Sequence, residues 1–437
     1  MSTRSRWWPL ALLLGCQSYQ AQPLVPEEIL ADVVEERRAA AERPAVTLDD
    51  ATIWMRRYNP RIRDAQASFE TAQGVADTPT PLPNPTLGLV PIFTDVASLG
   101  GNRWGGDVAL GWTFLLANKR KLTDDLNAVR ADAARVELGA VEREEFLELR
   151  DEYIALAMAD RLVDAQRRVR DVAGRSRTAI RRAVDAGSAT VLDLAQFDLE
   201  YERIVVAGVE VEERERAARF VLAARAGVEA GGFAAPAFPA LPDDVPELDE
   251  LRDRMLRDHP GLARLRAAYA VAEKELRLEV ARQYPDLEIG GLYQRDEGDN
   301  KYGLGIGIEL PFFDRNQPGI ARATRYRDEV RTNFRSEVRR NLVRIEEWRM
   351  RLELRRQRLR AMRDTVRPQA ERTGQLANAG LGAGAADPLV LLTVLRRSVE
   401  FVLELLEAEA EVYEAWTQLE RACGSPLLLF PTEKEPS

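Results

Sequence analysis

The nine residues 302-YGLGIGIEL-310 alternate without interruption: Tyr302, Leu304, Ile306, Ile308 and Leu310 on one face, Gly303, Gly305, Gly307 and Glu309 on the other. A two-residue period predicts a strand with unlike faces. Three further segments read the same way, Thr86 to Phe93, Trp104 to Phe114 and Asp286 to Arg295. In the second of these, Trp104, Val108, Leu110, Trp112 and Phe114 oppose Asp107, Ala109, Gly111 and Thr113. The polar stretches 94-TDVASLGGNR-103 and 296-DEGDNK-301 link the strands as two hairpins. A half-buried sheet on a soluble core would alternate in this way, and so would a transmembrane barrel. The chain offers no helix face apolar enough to cover such a sheet, which favours the barrel. Four strands cannot close on themselves, and an open edge is not tolerated in lipid. The strands are therefore expected to belong to a barrel shared between chains.

The chain also says the same thing twice. The segment 47-TLDDATIWMRRYNPRIRDAQASFETAQG-74 is answered by 245-VPELDELRDRMLRDHPGLARLRAAYAVAEKE-275, with Asn59-Pro60 matching His259-Pro260. Downstream, 84-NPTLGL-89 matches 284-YPDLEIGGL-292, and 187-GSATVLDLAQFDLEYER-203 matches 384-GAADPLVLLTVLRRSVE-400. Repeats of this length point to a duplicated structural unit. Each half reads as helix, two strands, then two long helices around a glycine-containing turn. The expected organisation is 1–15 signal peptide, 16–46 N-terminal linker, 47–230 first repeat, 231–246 Pro/Gly/Ala-rich linker, 247–423 second repeat and 424–437 tail.

The helices are long and narrow-striped. Between Lys119 and Val184 there is no proline, and Leu122, Leu126, Val129, Ala133, Val136 and Ala140 step by four and three, the coiled-coil interval. The segments from Val191, from Ile320 to Leu376 and from Pro388 to Leu419 behave alike. The break 311-PFFDRNQPG-319 then marks where a strand leaves the bilayer and a polar helix runs on through water.

The N-terminus 1-MSTRSRWWPLALLLGCQSYQ-20 has two arginines, a short apolar run and a small residue before Cys16, the layout of a signal peptide. Its ending Leu13-Leu14-Gly15-Cys16 resembles a bacterial lipobox, which implies acylation (palmitate) at Cys16; an ordinary cleaved signal with an incidental cysteine is the alternative. Two cysteines and one histidine, His259, exclude a disulfide framework and a Cys/His metal cluster, and with only His259 at a helix break no Ser/His/Asp set is available. A net charge of −9 with interleaved signs argues against a nucleic-acid partner. Gly303, Gly305 and Gly307 lie within a strand rather than at a strand-to-helix turn, so they form no phosphate loop. No cofactor, resident metal or enzymatic activity is expected.

The duplicated Asn59-Pro60 and His259-Pro260 landmarks, Pro85 and Pro285, the turns at Gly187 and Gly384, and above all 310-LPFFDRNQPGIARA-323 resemble the TolC-type outer-membrane efflux proteins. The last of these is most similar to the heavy-metal (cobalt–zinc–cadmium) branch. The resemblance implies a mainly α fold with a small β part, in which long coiled-coil helices form a periplasmic α-barrel. Four strands per chain then join a shared, trimeric 12-strand transmembrane β-barrel. It implies a homotrimer in the outer membrane, lipid-anchored and reaching into the periplasm, docked on a periplasmic membrane-fusion adaptor and an inner-membrane resistance-nodulation-division pump. The implied function is a passive exit duct, with heavy-metal cations as cargo.

Carried over by position, the tip and adaptor contacts are Gly187, Ser188, Ala189 and Leu192, with Gly384, Ala385, Ala386 and Leu389 in the second half. Asp193 and Asp387 fall at the aperture. Three copies of Asp193 around a narrow mouth would form a cation-attracting ring, whereas an ordinary solvated helix-end carboxylate is the plainer reading. The family's tyrosine three residues before the tip glycine is Val184 here, and the second-half position matching the acid is Val390. Strand alternation puts Asp107, Glu288 and Glu309 on the inner face, where they either favour cations or simply wet the lumen. A multidrug or type I protein-secretion duct would use the same architecture. A non-channel envelope scaffold is a further alternative.

Overall fold

Asn59 and His259 each interrupt a helix one residue before a proline, and the fold is organised around these two breaks. The structure, a computed structural model, describes residues 19–41, 47–96, 101–229, 239–296, 299–382, 388–428 and 430. Helix α1 (Pro26–Ala41) precedes two runs of the same order. The first is α2 (Leu48–Tyr58), α3 (Pro60–Ala76), β1 (Thr86–Val96), β2 (Gly101–Phe114), α4 (Lys119–Asp185) and α5 (Val191–Ala226). The second is α6 (Leu248–Asp258), α7 (Pro260–Ala281), β3 (Leu287–Asp296), β4 (Asp299–Ile308), α8 (Gln317–Ala361), α9 (Arg367–Gly382) and α10 (Pro388–Cys423). The fold is thus mainly helical with one small sheet, as the sequence suggests. No described helix is long and apolar enough to cross a membrane.

The strands form one antiparallel sheet in the order β1-β2-β3-β4, so β1 and β4 are its edges. Pairing continues beyond the apolar segments, to Val96 opposite Gly101 and Asp296 opposite Asp299, because ladder hydrogen bonds need no apolar side chain. Strand β4 stops at Ile308, ahead of Pro311, which has no N–H to give. The helices repeat the order of the strands. Helix α4 packs on α3 and α5 along one flank and on α7 and α10 along the other, and α8 packs on α7 and α10. The helical wall therefore also has two edges, an α3/α5 stack and α8.

Each stack is sealed by a glycine in the left-handed region. Gly227 (φ +74°) ends α5 where a Cβ would come within 2.6 Å of the Tyr58 carbonyl oxygen; Gly424 (φ +75°) follows α10 where it would come within 2.9 Å of the Asp258 carbonyl oxygen. Asn59 completes the first junction. Its Oδ1 accepts from the Arg61 and Ile62 amides at 2.9 and 3.3 Å, capping α3, while its Nδ2 donates to the Arg225 carbonyl and to Glu145, both at 2.9 Å. Glu145 is fully buried, and Arg225 (2.9 Å) and Arg61 neutralise it, which a buried carboxylate requires. Burial acts to lower the pKa of Arg225, but its hydrogen bonds to Glu152 and Glu145 and the nearby Glu148 charge raise it above the usual guanidinium value.

The second junction keeps the backbone and changes the chemistry. His259 makes no capping bond to α7, its Nδ1 has no partner, and Asn341, fully buried on α8, leaves its Oδ1 unpaired. The α10 end is held instead by a buried Arg150–Glu420 pair at 2.9 Å, with Glu420 accepting from the Leu427 and Leu428 amides at 2.6 and 2.7 Å. Two apolar cores, around Met55, Leu149 and Leu222 and around Met255, Ile345 and Trp416, fill the two junctions; a third, around Ile180, Phe197 and Leu392, binds α10 to the α4–α5 hairpin.

The helix expected to run unbroken from Ile320 to Leu376 is interrupted by a π-helical stretch, Met362–Val366. Pro368 lacks the N–H that would bond Asp364 and its ring would strike that carbonyl, so the preceding turn widens; the Arg367 amide donates to Met362. An asparagine at position 259 should restore the cap that Asn59 provides in the first run, worth about 1 kcal/mol. Burial holds the His259 pKa below its ordinary value, so the unfolded chain takes up the proton first and stability falls as pH drops through about 6.5. His259→Asn is expected to raise the thermal midpoint at pH 7.5 and to raise it further at pH 5.5. A gap between variant and wild type that does not widen in acid would show that His259 is not buried neutral.

Candidate functional site

Register assigns every strand residue to a face, because directly paired residues project to the same side. Asp107 pairs with Val90 and Gln294, Glu288 with Thr113 and Gly307, Gly290 with Gly111 and Gly305. One face thus carries Gly88, Gly111, Gly290, Gly303, Gly305 and Gly307 with Asp107, Glu288, Gln294 and Lys301. The other carries Leu87, Leu89, Val108, Leu110, Trp112, Ile289, Tyr293, Leu304 and Ile306. The apolar face is bare in the single chain: Tyr302, Leu304 and Ile306 are 80, 93 and 78% exposed. Pro91 sits on the edge strand β1, opposite Gly106, where a Cβ would come within 3.0 Å of the Val90 carbonyl oxygen.

The three acids of the inner-face set do not form one cluster. Glu288 lies beside Gly307, two residues from Glu309, at the helix end of the sheet. Asp107 lies six residues along β2 from the partner of Glu288, about 20 Å away by strand rise. Asp107 is half-buried with an unpartnered Oδ1, while Glu288 and Glu309 are exposed. Among the described residues no group of three His, Cys, Asp or Glu side chains is placed to hold a metal ion.

At the far end of α4, about 100 Å away by helix rise, the chain reverses. Gly187 (φ +74°) is the left-handed residue after the helix. Its amide bonds Val184 at 2.9 Å and the Ser188 amide bonds Ala183 at 2.8 Å, a Schellman closure. Thr190 then caps α5. Its hydroxyl accepts from the Asp193 amide at 3.1 Å and its own amide donates to Asp193 Oδ2 at 2.8 Å. Asp193 is therefore the reciprocal half of a capping box, and its bonds from Thr190 lower its pKa below the usual carboxylate value. Reading by position selected Asp193 and passed over Thr190, although 190-TVLD-193 carries the capping-box spacing.

Leu192 and Leu389 are exposed, as are their neighbours Val191 and Val390, and Ser188 and Ala189 lie in the turn. Beyond them Leu391, Leu392 and Leu395 of α10 pack on Ile180 and Phe197 of the first hairpin, and Arg396 bonds Glu200 at 2.8 Å. The start of α10 is thereby held against the first hairpin. Gly384, Ala385, Ala386 and Asp387, and the N-terminal Cys16, lie outside the described residues.

Known proteins share this arrangement. Residues 251–425 match the family model described as outer membrane efflux protein. The cobalt-zinc-cadmium resistance protein CzcC of Cupriavidus metallidurans is 28% identical over 264 residues, which cover 58% of this chain and 61% of that protein; the match thus spans about three fifths of the relative's length. The solved outer-membrane channel OprN superposes with a TM-score of 0.71 at 18% identity, over 86% of this chain and 90% of that one. The outer membrane protein VceC of Vibrio cholerae gives 0.69 at 17% identity, over 87% of this chain and 96% of that one. The structural likenesses establish a common fold across both runs. Through residues 251–425 the chain is similar to the outer membrane efflux protein family.

Proposed function

We propose that the protein is the outer-membrane exit duct of a tripartite efflux system, a passive channel closed by three copies of the chain. The observation that carries this reading is the sheet itself, with two open edges, one bare apolar face and one glycine-rich face. Edge β4 of one copy pairs with β1 of the next, giving twelve strands around a lumen, with the apolar face toward lipid and the glycines inward. The helical wall closes along the corresponding edges, α8 against the neighbour's α3/α5 stack, and continues the lumen into the periplasm. Asp107, Glu288 and Glu309 then line the barrel, and the tips, including Gly187, Leu192 and Leu389, meet the periplasmic adaptor of an inner-membrane pump. An acyl chain on Cys16 adds a second hold on the membrane.

Heavy-metal cations are the proposed cargo, supported by the CzcC similarity and by the 310-LPFFDRN-316 junction. A strain lacking the protein should lose resistance to zinc, cobalt or cadmium severalfold; loss of resistance to hydrophobic drugs alone would assign the duct to multidrug export.

The facing of the sheet is tested by a pair of neighbours. Ile306→Lys, on the lipid side, should cost about 2–4 kcal/mol of insertion energy if it lies near the bilayer midplane, and reduce assembly in membranes. Gly305→Lys should assemble and instead narrow the pore, lowering single-channel conductance. The opposite pattern would invert the barrel.

Position in the repeat supports Asp193 as an aperture residue, and the capping box sets how it must be tested. Asp193→Asn keeps a side-chain oxygen for the Thr190 amide, so it should lower cation preference of the reconstituted channel without loosening the tip; Asp193→Ala should do both. Equal ion selectivity in wild type and Asp193→Asn would leave the residue as a cap only.

A further inference from the structure

We propose that helix α1 clamps neighbouring copies together, its free apolar flank of Leu30 and Val34 docking on Val343, Met350 and Leu354 of α8 in the next copy. The proposal rests on the ring reading above and adds a contact that edge-to-edge closure does not require.

Among the described residues, helix α1 meets its own chain along the flank of Val33, Glu36 and Arg37. Val33, Glu36 and Arg37 line a cavity of about 540 Å³ with Pro60 at the start of α3 and Phe220 near the end of α5, and Glu36 accepts from Arg63 at 2.9 Å. This sets α1 at the Asn59 break, on the α3/α5 edge of the wall. On the adjoining flank Leu30 is 65% and Val34 45% exposed.

The opposite edge carries a matching surface. Val343, Met350 and Leu354 are spaced by seven and four, which puts them on one face of α8, and they are 58, 54 and 58% exposed. That face is turned away from Ile345 and Leu352, which are fully buried in the chain's own core. Rows of apolar side chains at helical spacing on a polar helix want a partner.

Height and charge identify the partner as a second copy. Glu337, Arg340 and Arg344 of α8 line a cavity with His259, so this part of α8 lies level with the second break, and Val343 falls within it. Helix α1 lies at the first break. A ring of identical copies brings one edge to the other at the same level, so the two stripes meet. Glu27, Glu28, Asp32 and Glu35 of α1 have no ion pair among the described residues, and neither have Arg335 and Arg339 of α8. Opposite charges left open on the two surfaces favour this pairing over binding of α1 to an anionic membrane surface.

The test uses the full chain carrying Leu30→Cys and Val343→Cys, treated with a short bismaleimide in detergent. Products of two and three chain masses are expected, absent from each single variant, while native mass measurement reports the assembly independently. A three-copy mass with no link, or with a link only within one chain, overturns the clamp and leaves the ring; a single-chain mass overturns both. In parallel, Leu30→Ser with Val34→Ser should lower the temperature at which copies separate by several degrees, and an unchanged temperature also overturns the clamp.

Discussion

The peptide groups along the free sides of β1 and β4 dominate the physics of this molecule. In water an open sheet edge is a tolerable liability, blunted by short strands, proline or charge. In hydrocarbon each unpaired N–H or C=O costs several kcal/mol, and nothing but another strand can satisfy a whole row of them. The sheet here runs ten to fourteen residues per strand and presents its apolar side chains outward without cover. Such a surface is coherent only in a closed barrel, so the number of strands in one chain turns a problem of folding into one of assembly.

The helical wall inherits its order from that sheet. Strands β2 and β4 lead into α4 and α8 through short links whose last residues, Asn118 and Asn316, both adopt the left-handed conformation (φ 57° and 58°). Asparagine is among the few side chains that accept it. Around these bends the chain is pinned: Lys119 reaches Asp286 at 2.7 Å and the Tyr284 carbonyl at 2.6 Å, and Asn316 donates to the Glu279 carbonyl at 2.9 Å. Strand neighbours therefore become helix neighbours, and the two open edges of the sheet continue as the two open edges of the wall.

The elements with a strong period were legible beforehand. Alternation gives the four strands and the two faces of β2 and β4, and the three-and-four stripe gives α4, 67 residues without a break. What escaped were features set by single residues against the period. Pro368 widens a turn in a pattern that otherwise reads as continuous helix. Thr190 is inconspicuous until its hydroxyl is seen on the Asp193 amide. Helix α1 lies within the 16–46 linker segment, where Pro26 at its start and the 29, 30, 33, 34 spacing are helical signals, but a short stripe has no visible partner in one chain. The site is harder than the fold for the same reason: in the proposed ring a lumen would be made between copies, and one sequence lists only one wall.

The duplication makes that wall two-sided in character. Backbone demands are met identically in both runs, by Gly227 and Gly424 at the stacked junctions, where any side chain would strike a carbonyl. Side chains have diverged wherever the backbone does not dictate them. Asn59 and Glu145 form a satisfied polar knot, while His259 and Asn341 leave orphaned atoms in the same setting. At the tips the first hairpin offers a threonine-capped aspartate, and the second begins α10 with Pro388 and sets Val390 at the corresponding place. A ring of three copies would therefore alternate two kinds of helix pair. Its mouth would draw the Asp193 charge from every second pair only, spacing three carboxylates evenly around the axis. That spacing weakens their mutual repulsion, which lets each remain ionised beside a narrow opening.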